Sequence, residues 1–120
     1  MQKRLILKIL DKPTWQAALG GECVQVAVDI ADGYVHFSTA DQVQETLDKW
    51  FQGVENAVLI AFDAQDFKDT IKWEESRGGD LFPHVYGDVF ASQAVYAWDM
   101  ELGPNGAPIA PEDALNFELS

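Results

Sequence analysis

Two histidines are the side chains of this 120-residue sequence that ordinarily change charge near neutral pH, and they stand far apart, as His36 and His84. Each lies in a short run dense with aromatic, hydroxyl or glycine residues. The first run is Asp32-Gly33-Tyr34-Val35-His36-Phe37-Ser38-Thr39. Side chains alternate along an extended chain, so Tyr34, His36 and Ser38 share one face while Val35 and Phe37 share the other. The apolar pair suits a core, which leaves an imidazole and a hydroxyl on the opposite face. A helix signature follows immediately. Its N-terminal N–H groups are receptive to an anion or a carbonyl oxygen, although Asp41 in that first turn competes for the same positive potential.

The second run extends from Trp73-Glu74 to Pro83-His84-Val85-Tyr86-Gly87. Arg77, one of two arginines, precedes Gly78-Gly79. Glycines let backbone approach a ligand closely, and an arginine forks onto a carboxylate or phosphate. His84 and Tyr86 share a face if the segment is extended, and Pro83 stiffens the approach to the imidazole. Each feature also has a structural reading. A strand histidine is commonly a hydrogen-bonded framework residue, and Gly78-Gly79 alone marks a turn. Arg77 beside Glu74 and Glu75 equally forms a surface ion pair worth ~0–1 kcal/mol. Trp15, Trp50 and Trp98 read as core, and Trp73 as the tryptophan to consider for a cleft. No phosphate loop, nucleophile elbow or His-Glu-x-x-His helix is present. A metal site would need both histidines and a carboxylate such as Asp32 or Asp80. No ligand spacing supports one, and no metal is assigned.

The elements that must position these runs read as follows. Lys3 to Leu10 is a mostly buried strand ending at Asp11-Lys12-Pro13, and Pro13 suits the first turn of a helix that stops at Gly20-Gly21. Val24, Val26, Val28 and Ile30 alternate and favour a strand, running into the turn signal Ala31-Asp32-Gly33. Thr39 with Gln42 predicts a capping box. Val43, Leu47, Trp50 and Phe51 then form one face of a helix ending at Gly53. Ala57 to Phe62 is a continuous apolar run, expected as a central strand buried on both faces. Ile71 to Glu74 and Ala94 to Met100 read as strands, and Glu75 to Gly87 as a loop. The expected fold is α+β: a mixed, mainly antiparallel sheet with two main helices over residues 1–102. A turn-rich acidic C-terminal segment, 103–120, follows.

Composition narrows the function classes. The chain is one domain's worth, 48% hydrophobic with four tryptophans, enough for a core without a disulfide or metal staple. Cys23 is the single cysteine, so neither an internal disulfide nor a cysteine zinc site can form. It reads as a small hydrophobe. The net charge of −12 repels phosphate backbones and anionic membranes, which disfavours nucleic acid as a partner. The N-terminal apolar run, broken by Lys8, is too short for a signal peptide or a membrane span, so a cytoplasmic protein is expected, as a monomer or weak dimer.

Three blocks resemble a known family: Asp32-Gly-Tyr-Val-His-Phe-Ser-Thr39, Trp73-Glu74 with Ser76-Arg-Gly-Gly79, and Phe82-Pro-His-Val-Tyr-Gly87. They look like the signature blocks of domain-of-unknown-function family 952, and the match runs from about Leu5 to Trp98. The resemblance implies a fold similar to the ADP-ribosyltransferase superfamily, with His36 and His84 as the ligand-contacting pair. It implies a cleft for a nucleotide-like molecule, with NAD as first candidate substrate and no cofactor required. In that reading His36, Ser38 and Thr39 meet ribose or phosphate oxygens. Arg77 with Gly78 and Gly79 offsets pyrophosphate charge, and His84 and Tyr86 face the reacting end. Many such transferases also use an active-site glutamate; the blocks do not assign it here, and Glu74 stands as the candidate. The RNA 2′-phosphotransferase branch needs basic residues that this acidic chain lacks. A non-catalytic binding module and a metal-assisted hydrolase are the alternatives.

Overall fold

Chain direction and core are set by the apolar run after Arg4. The computed structural model describes residues 4–76 and 79–119. Leu5–Asp11 forms β1, and Asp11 caps α1 (Lys12–Leu19) by accepting from the Thr14 N–H at 2.8 Å. There follow α2 (Ala27–Asp32), β2 (Val35–His36), α3 (Val43–Trp50), β3 (Ala57–Asp63), β4 (Ile71–Glu75), β5 (Leu81–Val85), β6 (Tyr96–Asp99) and α4 (Glu112–Leu115). The strands make two three-stranded antiparallel sheets, ordered β1-β3-β6 and β2-β5-β4, where a single mixed sheet was expected. The α+β class with two main helices, α1 and α3, stands.

β3 is the central strand that its unbroken apolar run predicts, and it is buried on both faces. Val58, Ile60 and Phe62 join Ile6 and Leu10 of β1 in a core shared with Val35, Phe37 and Val85 of the second sheet. The Phe37, Phe62 and Phe67 rings meet there at 5.5–6.2 Å. The other face, with Leu7, Ile9 and Leu59, packs against Val43 and Leu47 of α3 and against Ala110 and Ala114 of the C-terminal segment. Each fully buried side chain of this kind contributes ~1.5–3 kcal/mol. The backbones of Leu7 and Ser38 exchange hydrogen bonds of 2.8 and 2.9 Å, tying the second sheet to the first beside the histidine run.

Two local expectations are corrected. Val24–Ile30 is not a strand: α2 begins at Ala27, leaving Val28 and Ile30 exposed and Asp29 buried. The Asp29 carboxylate returns to the Val26 N–H at 2.9 Å, and left-handed Gly33 (φ +85°) closes the helix. Local capping and a buried charge thus override the alternation of valines. The segment Glu75–Gly87 is also not all loop, because it holds β5, the middle strand of its sheet. Pro83 is tolerated there because a residue's N and C=O face the same neighbour in an antiparallel ladder. Its carbonyl accepts from Phe37 N–H at 3.0 Å, just past the two-residue β2, so the missing donor falls where pairing ends. Among the described residues no helix is long and apolar enough to cross a membrane.

Candidate functional site

β2 and β5 pair so that His36 lies directly opposite His84. Their rings are 5.2 Å apart, and both line one cleft of about 570 Å³ between β1, β2 and α3. That volume falls in the range of small-molecule pockets, ~300–1,000 Å³. Val35 and Phe37 turn into the core as their alternation predicts, while the His36 side chain keeps 31% of its exposure. Tyr34 lies against both imidazoles, with ring centroids 4.5 Å from His36 and 4.3 Å from His84.

Each imidazole is backed by carboxylate. Glu74 Oε1 lies 2.8 Å from His84 Nδ1 and accepts from the Tyr86 hydroxyl at 2.7 Å. The His84 side chain retains 8% exposure, and among the described residues no side chain partners its Nε2. His36 Nδ1 lies 2.7 Å from Asp29 Oδ1, and Nε2 lies 3.1 Å from Asp32 Oδ2. Asp29 also accepts from the His36 backbone N–H, from Val26 N–H and from Lys8 Nζ at 2.8 Å, while Lys8 donates to the His36 carbonyl at 2.9 Å. A carboxylate against Nδ1 holds the ring's orientation and favours the tautomer with the proton on that side.

The titration behaviour follows from these contacts. Burial pushes the Asp29 carboxyl up, but the His36 hydrogen bond, the Lys8 charge and hydrogen bond, and Val26 N–H together hold it below the usual range. Burial pulls the Lys8 ammonium down, partly offset by Asp29. Hydrogen bonds from Tyr86 and His84 hold Glu74 low. The Tyr86 hydroxyl, bonded to Glu74, is pushed up to about 12. Tyr34 is raised by burial and then by the charges of Asp32, Glu74 and Asp29. Three carboxylates thus surround the histidine pair, with Lys8 as the counter-charge of Asp29.

The sequence-selected residues divide. His36, His84 and Ser38 line the cleft, with Glu74 and Tyr86 held behind His84. Thr39 is buried, and its Oγ1 has no hydrogen-bond partner among the described residues. Only one arm of the expected capping box forms: Gln42 Oε1 accepts the Thr39 N–H at 3.1 Å. Trp73 packs against the core and lines a separate hollow with Gly79 and Asp80, away from the histidines. Alternation along β4 puts Trp73 on the face opposite Glu74. Arg77 and Gly78 lie outside the described residues. Among the described residues no three His, Cys, Asp or Glu side chains could hold a metal ion. Sequence reasoning missed Lys8 and Asp29, and it put Tyr34 on the His36 face without its contact to His84. The available signal was a lone lysine and a lone aspartate, each interrupting an apolar run.

Comparison with known proteins agrees with this architecture. Residues 9–97 match the model of a family described as protein of unknown function (DUF952). The crystal structure of protein CC0527 from Caulobacter crescentus is 42% identical, covers 88% of this chain and 93% of that one, and has a TM-score of 0.84. The crystal structure of a double mutant of that protein gives 42% identity, the same coverage and a TM-score of 0.83. Its solution NMR structure is 43% identical over 87% of this chain and 90% of that one, with a TM-score of 0.77. None of the curated proteins compared matches. With the model spanning residues 9–97, the chain belongs to the DUF952 family.

Proposed function

We propose that the cleft binds a nucleotide-like small molecule, NAD being the first candidate, and that its chemistry is cleavage or transfer at a glycosidic bond. The observation that carries this reading is the convergence of both imidazoles, 5.2 Å apart, on one cleft. The carboxylates of Asp32 and Glu74 beside the imidazoles support the chemistry, because glycosidic cleavage builds positive charge on the anomeric carbon. The electron pair of the C–N bond leaves with the base. Water or an acceptor hydroxyl then bonds to that carbon and gives its proton to His84 Nε2, whose Nδ1 is held by Glu74. Ser38 supplies a hydroxyl at the cleft wall. The transferase element of this reading comes from the likeness to ADP-ribosyltransferases that the sequence blocks imply, and it stands as part of the proposal.

Calorimetric titration with NAD tests it, with His36→Ala and His84→Ala as controls and assay for released nicotinamide. Binding that weakens about tenfold in each variant supports the assignment. Absence of binding at about millimolar NAD, near −4 kcal/mol, or equal binding in all three proteins, overturns it. One observation favours a non-catalytic version: both ring nitrogens of His36 are engaged by carboxylates. Binding without released nicotinamide would select that version.

A further inference from the structure

The cleft does not end at the histidines. Gln42, Thr46 and Trp50 are spaced four residues apart around α3, so they share one helix face. Gln42 Nε2 donates to the Leu81 carbonyl at 2.7 Å, and Thr46 Oγ1 lies 3.5 Å from Ser38 Oγ. This face therefore looks onto the second sheet, with Trp50 one helical turn beyond Thr46. The expected core role of Trp50 is corrected here. α3 ends at this residue, Val43 and Leu47 occupy the core, and Trp50 keeps 58% exposure while lining the cleft. Val28, 51% exposed on α2, and Phe82 of β5 line the same cleft. Lys49 lines it too, in an exposed pair with Glu45 at 3.4 Å.

We infer that Trp50 is the stacking platform of the cleft, taking a planar heteroaromatic group of the ligand against its indole, with Val28 and Phe82 as apolar wall. The inference rests on the cleft reading above and adds the orientation: aromatic group at Trp50, polar and reacting part toward Ser38 and the histidines. Three features carry it. Trp50, Val28 and Phe82 line a water-accessible hollow that Ser38, Thr46 and both imidazoles also line, Trp50 stands one helical turn beyond Thr46 and so beyond Ser38, and the volume suits a small molecule rather than a helix or strand. The carboxylates gathered around the histidines keep an anionic group away from that end. Among the described residues Lys49, paired with Glu45 that also lines the cleft, is the cation beside Trp50 on α3.

Tryptophan fluorescence reads this directly, with adenosine, NAD and ribose 5-phosphate as separate probes. Adenosine and NAD are expected to quench the wild type, with the Trp50 component missing in Trp50→Phe, whereas ribose 5-phosphate leaves it unchanged. Calorimetric affinity for adenosine should fall about tenfold in Trp50→Ala and less in Trp50→Phe, which keeps a ring. Circular dichroism checks that both variants keep the fold, as expected for a side chain 58% exposed. Adenosine binding without NAD binding would sink the NAD assignment and keep the platform. Binding of NAD or adenosine with equal affinity in Trp50→Ala would sink the platform and keep the cleft. No binding by any probe overturns both.

Discussion

Asp29 illustrates how much one side chain organises. It is 3% exposed and accepts from Lys8, Val26 N–H, His36 N–H and the His36 ring. An amide offers one acceptor oxygen and two donors, so it cannot serve these partners. Asp29→Asn should destabilise the fold by about 3 kcal/mol or more, leaving Lys8 buried without its counter-charge. Lys8→Met should be milder, since Asp29 keeps its other donors; urea denaturation ranks the two. Asp29, Glu74 and Asp63, which accepts from the Arg4 guanidinium, are all held below their ordinary values of 3.8, 4.5 and 3.8. A carboxyl lowered in the folded state contributes stability above its unfolded pKa and loses it as pH falls through the folded value. The urea midpoint should therefore decline on acidification below about pH 5, less steeply in Asp29→Asn; a flat profile would contradict the contacts assigned to these carboxyls. Behind the second histidine, Tyr86 should ionise near 12 and return toward 10 in Glu74→Gln, followed by NMR of the tyrosine rings.

The clearest test among the elements is α2. The strand pattern would bury Val24 and Val28 alike, but in the fold Val24 is 0% and Val28 51% exposed. Val24→Ala should cost about 2 kcal/mol through lost burial and a residual cavity. Ile30→Ser, on the solvent side, should change stability by no more than ~0.5 kcal/mol. Equal losses at the two positions would argue for the strand after all. A helix here also serves the site, because only a turn placing Val26, Asp29 and Asp32 along one side brings two carboxylates to one imidazole. A strand would have sent Asp29 away from the valines and into solvent.

At the scale of the whole molecule, two sheets share the core through Phe37, Phe62 and Phe67, and the C-terminal segment covers the remaining face. Ala107, Ala110 and Ala114 are buried, and Phe117 meets Tyr96 and Trp98 at 5.9 and 5.3 Å. Removing residues 103–120 would uncover Leu59 and Met100. The shortened chain should melt at lower temperature, with a broader transition by circular dichroism. An unchanged melting temperature would mean the segment adds nothing to the core.

Most strands and both main helices were legible because their signals are local: apolar runs at β1 and β3, Pro13 at the start of α1, Gly33 as a stop, and helical spacing from Val43 to Leu47. The facing of Val35 and Phe37 was equally legible, since strand alternation needs no knowledge of a partner. β5 and α2 were not, because Pro83 is tolerated only where β2 runs out, and Asp29 is buried only because Lys8 and His36 come to meet it. The outward position of Trp50 belongs to the same class: helix periodicity names a face, while the depth at which that face stops being covered is set by the neighbours. The amino-acid order alone determined the α+β class, the acidic surface and the two histidine runs. Tertiary structure decided that His36 and His84 are cross-strand partners, because pairing register is a property of two segments that lie distant in the chain.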